Sequence, residues 1–171
     1  MTGTSVGLSD DDQAVADAVI TSLAGDGARL RDDLHSHSDW SDGGSPIDEM
    51  VLTAVELGQE WMVLTDHSPR LRIANGLSAQ RLAQQLDLLA RIDASLGDAF
   101  TVMSGIEVDI LDDGGLDQTP EMLARLDLVT ASVHSKLKMA RGPMTARMVA
   151  AEGESKSPPK THAQRIFPNA N

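Results

Sequence analysis

Apolar residues along this chain recur in two alternating rhythms, one helical and one strand-like. Ser9 followed by Asp10, Asp11 and Asp12 reads as an N-cap with acids in the first turn, and Val15, Val19, Ile20 and Leu23 then keep a helical spacing up to Gly25. Leu30 to His37 reads as the first strand. Ser45 and Pro46 give a cap with proline at the first helical position, and Ile47, Met50, Val51, Ala54, Val55 and Leu57 fall on one side of a helix that Gly58 stops. Trp61 to Thr65 is a short, continuous apolar run, the signature of a strand buried on both faces. Ser78 caps a longer helix in which Leu82, Leu86, Leu89, Ile92 and Leu96 repeat until Gly97. Phe100 to Ile110 is apolar and β-branched enough for a third strand, and Leu126 to Val133 is a fourth. Between them, Asp112-Asp113-Gly114-Gly115 is turn chemistry and Thr119-Pro120-Glu121 starts a short helix.

Strands alternating with helices argue for a parallel sheet, and the titratable residues fall where strands hand over to loops. His35 and His37 end the first strand, His67 follows the second, Glu107 is among the last residues of the third, and His134 ends the fourth. Side chains two apart on a strand share a face, so His35 and His37 can reach one metal ion, and the loop after them can fold Asp42 back toward it. Any one such residue reads as a cap or a satisfied polar core residue. Four successive strand ends carrying them point to a metal site on the face where α/β sheets and barrels hold their chemistry.

Composition narrows the chemistry. With 171 residues there is room for one domain with a core of its own, and with aromatics at 2% that core rests on Leu, Val, Ile, Met and Ala. No cysteine is present, so a metal must be held by imidazole and carboxylate, a set that suits zinc, manganese or iron. Lys and Arg number 14 against 26 acids, giving net charge -12, a poor match for long nucleic acid or an anionic membrane surface. No stretch is long and apolar enough to span a bilayer, and the acidic start from Met1 to Asp12 is unlike a secretory signal, so the expectation is a cytoplasmic protein.

Asp33-Leu-His-Ser-His37, Thr65-Asp-His67, Gly105-Ile-Glu107 and Ser132-Val-His134, in this order, resemble the first motifs of the PHP (polymerase and histidinol phosphatase) domain family. With Trp40-Ser-Asp-Gly43, Leu64-Thr-Asp-His-Ser-Pro69 and Gly76-Leu77-Ser78, the wording is similar to the PHP module of bacterial family X DNA polymerases and its stand-alone relatives. The resemblance implies an α/β fold, a distorted TIM-like (βα)7 barrel, here incomplete with about four βα units. It implies up to three divalent ions and hydrolysis of phosphate esters: a phosphorylated small molecule, a nucleotide or a DNA 3′ end. His35 and His37 would hold one ion, Glu107 would bridge it to a second that His134 also binds, and Asp42 with His67 would hold a third. These four histidine and glutamate positions, His35, His37, Glu107 and His134, would also carry the catalysis. Arg70, Arg72 and Lys136 are candidate phosphate clamps, although each singly also reads as a solubilising surface charge. Asp33 and Asp66 suit supporting rather than ligating roles.

The resemblance covers Leu30 to about Ala151, dividing the chain into an N-terminal helical segment (1–29), a partial PHP domain (30–151) and a polar tail (152–171) expected to be disordered, with His162 solvated in it. The later histidine and Asp-x-His motifs of the family are absent, so each metal centre would lose a protein ligand that water would have to replace. Two functional readings stay open. One is a metal-dependent phosphoesterase; the other is a truncated, catalytically idle remnant that self-associates through an open sheet edge. A metal hydrolase of the amidohydrolase kind ranks below both, because its bridging lysine has no counterpart: Lys136 and Lys138 are not at a strand end.

Overall fold

The computed structural model describes residues 32–154. The helix expected between Ser9 and Gly25, and the end of the tail with His162, lie outside the described residues. Four strands, β1 (Asp32–Ser36), β2 (Trp61–Leu64), β3 (Thr101–Asp109) and β4 (Leu128–Ser132), pair in the order β1-β2-β3-β4, every neighbour parallel. Each strand is followed by a helix: α1 (Ile47–Glu56), α2 (Ala79–Leu96), the short α3 (Pro120–Leu123) and α4 (Arg141–Glu154). This is the α/β arrangement that the alternation predicts, four βα units of a partial TIM-like barrel. The last helix runs past Ala151, where the polar tail was expected to start.

Register decides what the strands present. The first half of β3 pairs with β2 (Trp61 with Thr101 through Leu64 with Ser104), and its second half pairs with β4 (Gly105 with Leu128 through Asp109 with Ser132). Beyond the end of β2 the ladder continues: Glu107 N–H donates to Asp66 O and Ser68 N–H to Glu107 O, so His67 lies beside Glu107. Parallel pairing therefore collects all four C-terminal strand ends on one rim.

Two apolar clusters lie between sheet and helices. One joins Ile47, Val51 and Ala54 of α1 to Met62, Leu64, Leu89, Phe100 and Val102; the other joins Leu77 and Leu82 to Ile106, Val108, Ile110 and Ala151, and Trp40 packs against both. Val63, Leu64, Ile106 and Val108 have no exposed surface, each contributing about 1.5–3 kcal/mol of burial. The α1 stripe is narrower than its spacing suggests: Val55 and Leu57 are 41% and 65% exposed, because positions 47, 51 and 54 already fill the face toward the sheet and these two sit on its flanks. Its start also differs from expectation. Pro46 itself occupies the N-cap in an extended conformation, without a side-chain cap bond, and Ser45 makes no cap. Ser78 does cap α2, accepting from Arg81 N–H at 3.2 Å, and Thr119 caps α3, accepting from Met122 N–H at 3.3 Å. Among the described residues no helix is long and apolar enough to cross a membrane.

Candidate metal centre

Ser36, buried between His35 and His37, turns inward and donates its hydroxyl to Val63 O at 2.9 Å, which leaves the two histidines on the open face of the rim. Their Nε2 atoms lie 2.9 Å apart, and each is 3.3 Å from Oε2 of Glu107. His67 brings Nδ1 to 3.3 Å from the same oxygen, and His134 brings Nε2 to 3.3 Å from Oε1. Asp42 closes the far side: Oδ1 is 3.7 Å from His37 Nδ1 and Oδ2 is 3.5 Å from His67 Nε2. Four strands and one loop thus place their side chains around one buried carboxylate.

A buried carboxylate one residue before His67 holds the loop that carries Asp42. Asp66, 1% exposed, accepts from Ser38 N–H (2.8 Å), Ser38 Oγ–H (2.6 Å), Ser41 Oγ–H (2.5 Å) and Gln85 Nε2–H (2.6 Å). All four acceptor directions of the carboxylate are used, which is what makes its burial tolerable. Arg81 of α2 and Asn75 both donate to Trp40 O, tying the same loop to the next one. Gly43 lets the loop turn back on itself; a Cβ there would run into the carbonyl of His37.

The electrostatics suit a cation. Burial, reinforced by the neighbouring His37, holds the His67 imidazole below its ordinary pKa, against the pull of Glu107 and Asp42, and so favours the neutral ring that a metal needs. Burial pushes the Glu107 carboxyl up, but a hydrogen bond from Ser132 and the fields of His67, His35 and His134 outweigh it and hold the group below its ordinary value. Nδ1 of His37, His67 and His134 is buried without a hydrogen-bond partner among the described residues, a costly state for a polar atom unless something else takes its lone pair or proton. Three groups have donor atoms within 4.8 Å of one another: His35, His37 and Glu107; His37, Asp42 and His67; and His67, Glu107 and His134. These residues could hold divalent ions, and the donor set, imidazole with carboxylate, fits zinc, manganese or iron.

The six expected metal residues are therefore brought together. The expected phosphate clamps are not equally placed. Lys136, at positive φ, donates its ammonium to Asp112, whose carboxyl that contact holds below its usual range. Arg70 and Arg72 are exposed and, with Pro69, line an open cleft on the loop after His67. Two residues at the rim escape a motif-based reading. Asp109 is 5% exposed, and its Oδ1 accepts from His134 N–H at 3.0 Å. Its place two residues after Glu107, on the same face of β3, is a signal that the strand period alone could have given. Arg147 of α4 is 2% exposed and donates to Ile110 O, Leu111 O and Ser135 O, latching the ends of β3 and β4 together; helical spacing gives no hint of this.

Comparison with known proteins agrees with this geometry. Residues 33–156 match the profile of the PHP domain. The chain is 40% identical over 123 residues to the DNA polymerase/3'-5' exonuclease PolX of Bacillus subtilis, covering 72% of this chain and 21% of that protein. It is 34% identical over 104 residues to a probable phosphatase of Acetivibrio thermocellus, covering 60% of this chain and 40% of that one. The chain thus spans less than half the length of these relatives. A matched region running through all four strands and the six gathered side chains shows that the chain belongs to the PHP domain family.

Proposed function

We propose that this chain carries the metal-binding part of a PHP-type phosphoesterase that hydrolyses a phosphate monoester of a small molecule or nucleotide. The observation that carries this is the gathering of four imidazoles and two carboxylates, Asp42 and Glu107, into three overlapping donor clusters, with Nδ1 of His37 and His67 buried without a hydrogen-bond partner among the described residues. His35, His37, Asp42, His67, Glu107 and His134 would hold the ions, which when bound lower the pKa of water and offset the charge of a phosphate. Glu107 faces the rings of His35, His37 and His67 with one oxygen and that of His134 with the other, and so would offer a carboxylate oxygen to more than one ion. The Asp66 network holds the Asp42 loop in place before substrate arrives. Arg70 and Arg72, exposed on the loop after His67, are the candidates to meet phosphate oxygens, whereas Lys136 would first have to leave Asp112.

The substrate reading follows from charge. A net charge of -12 disfavours long nucleic acid, while a small phosphorylated metabolite, a nucleotide or a DNA 3′ end needs only local cations. The two relatives fall on either side of this choice, one an exonuclease and one a probable phosphatase by name. Metal content after dialysis against zinc or manganese, together with hydrolysis of a generic phosphate monoester, tests the proposal. Bound metal and turnover, both lost in Glu107→Ala and in the His35→Ala/His37→Ala double variant, support it. Metal binding equal to that of the double variant refutes it. Metal without turnover favours the second reading, a catalytically idle module, whose outer strands β1 and β4 each have one strand neighbour among the described residues.

A further inference from the structure

Asp109 performs no task in the site described so far, yet it is buried, carries a carboxylate and reaches the rim. Its Oδ1 accepts the backbone N–H of His134 at 3.0 Å and lies 3.6 Å from Nδ1 of the same residue. That ring nitrogen is buried and has no hydrogen-bond partner among the described residues. The opposite ring atom, Nε2, faces Oε1 of Glu107 at 3.3 Å. A neutral imidazole has one N–H and one lone pair, and which nitrogen carries the proton is set by what the other partner accepts.

We propose that Asp109 is a positioning residue for the metal centre: it draws the His134 proton to Nδ1 and so aims the Nε2 lone pair at the position beside Glu107. The inference rests on the metal reading above for its purpose, and on geometry for its substance. A closing of about 0.4 Å, a small ring rotation, converts the 3.6 Å approach into a hydrogen bond. The carboxylate is tied at Oδ1 to His134 N–H, and the backbone that carries it is fixed. Its N–H donates to Ser68 Oγ at 2.9 Å, its carbonyl accepts from Asp117 N–H at 3.0 Å, and Ser68 Oγ–H in turn donates to Asp117 Oδ2 at 3.0 Å, a closed ring of bonds around the strand end. Glu107 and Asp109, two apart on β3, thereby hold opposite nitrogens of one imidazole. The pattern is the carboxylate–histidine–metal relay in which an outer carboxylate fixes the tautomer of the ligating ring.

The test is long-range ¹H–¹⁵N correlation of the imidazoles in the metal-free chain at about pH 8, above the ordinary histidine range. The chain has five histidines, and a His134→Gln variant assigns the signal of interest. The expected result is Nδ1–H for His134 in the wild type, a shift toward the Nε2–H form in Asp109→Ala, and retention of Nδ1–H in Asp109→Asn, whose amide oxygen still accepts. Zinc titration of the Asp109→Ala variant should show one class of ion weakened about 10–100-fold, with Asp109→Asn between it and the wild type. A merely structural Asp109 would lower the unfolding midpoint in Asp109→Ala and leave the tautomer unchanged, and that result overturns the proposal. So does Nε2–H in the wild type. If the wild type binds no zinc, the metal reading fails, while the tautomer comparison still decides the role of Asp109.

Discussion

Replacing Asp66 tests whether the Asp42 loop is held as described. In Asp66→Ala the hydroxyls of Ser38 and Ser41 can turn to other acceptors, but Ser38 N–H and one Gln85 N–H stay buried and lose theirs. Each buried unsatisfied donor costs about 1–3 kcal/mol, so the variant should lose about 2–6 kcal/mol. That is a large part of the roughly 5–15 kcal/mol that stabilises a domain. Asp66→Asn behaves differently. With its oxygen toward Ser38 N–H and Ser41, its new amide faces the Gln85 amide, donor against donor. Gln85 Oε1 has no hydrogen-bond partner among the described residues, so a half-turn of the Gln85 amide offers an acceptor and removes the conflict. The turned amide leaves its own N–H groups without that acceptor, so the Asn variant should lose about 1–3 kcal/mol, less than Ala because Ser38 N–H keeps its bond. Urea unfolding of the metal-free proteins measures both, with the slope unchanged if only the native state is affected. Equal losses for Ala and Asn, or a loss below about 1 kcal/mol for Ala, would refute the account.

Two further outcomes follow from the same rim. Arg147→Met keeps the apolar stem but strips the carbonyls of Ile110, Leu111 and Ser135 of their donor, and should cost about 2–5 kcal/mol; thermal unfolding reads this, and a midpoint shift below about 2 °C would contradict the latch. The metal-free chain should lose stability in two acid steps. The His67 pKa is lowered from 6.5 on folding and that of Glu107 from 4.5, so the unfolded chain binds a proton first in both cases. Their contributions are full above those values and are lost as pH falls below them toward the lower folded pKa of each group; urea midpoints that stay flat from pH 7 to about pH 4 would show otherwise.

The fold was legible because its signals are local. Runs of apolar residues, caps at Ser78 and Thr119 and glycine stops mark each element, and parallel pairing alone brings the strand ends to one rim. Hence His35, His67, Glu107 and His134, far apart in sequence, could be grouped before any coordinates. Long-range polar pairing was not legible. Nothing near Asp66 announces Gln85 on the next helix, nothing near Arg147 announces the carbonyls of Ile110 and Leu111, and Lys136 reads as a free cation until Asp112 is found against it. The exposure of Val55 and Leu57 was missed for a related reason: periodicity gives the side of a helix but not how wide a strip the sheet covers.

On the proposed metal reading, the number of ions would be constrained by lone pairs. A neutral imidazole offers one, so a histidine that belongs to two clusters serves one ion at a time. His37 faces Glu107 with Nε2 and Asp42 with Nδ1; His67 faces Asp42 with Nε2 and Glu107 with Nδ1. If His37 joins His35 and Glu107, that position has three protein donors and fills first. His67 must then either pair with Asp42 or join Glu107 and His134, and whichever ion it serves leaves the other with two donors or fewer. A zinc titration should accordingly show unequal steps, the first at least about tenfold tighter than the last, a difference of about 1.4 kcal/mol. His67→Ala should leave the first step intact and weaken a later one, whereas Glu107→Ala should weaken the first. Three ions bound with equal affinity, or a first step lost in His67→Ala, would mean that the imidazoles share themselves in another way than these distances imply.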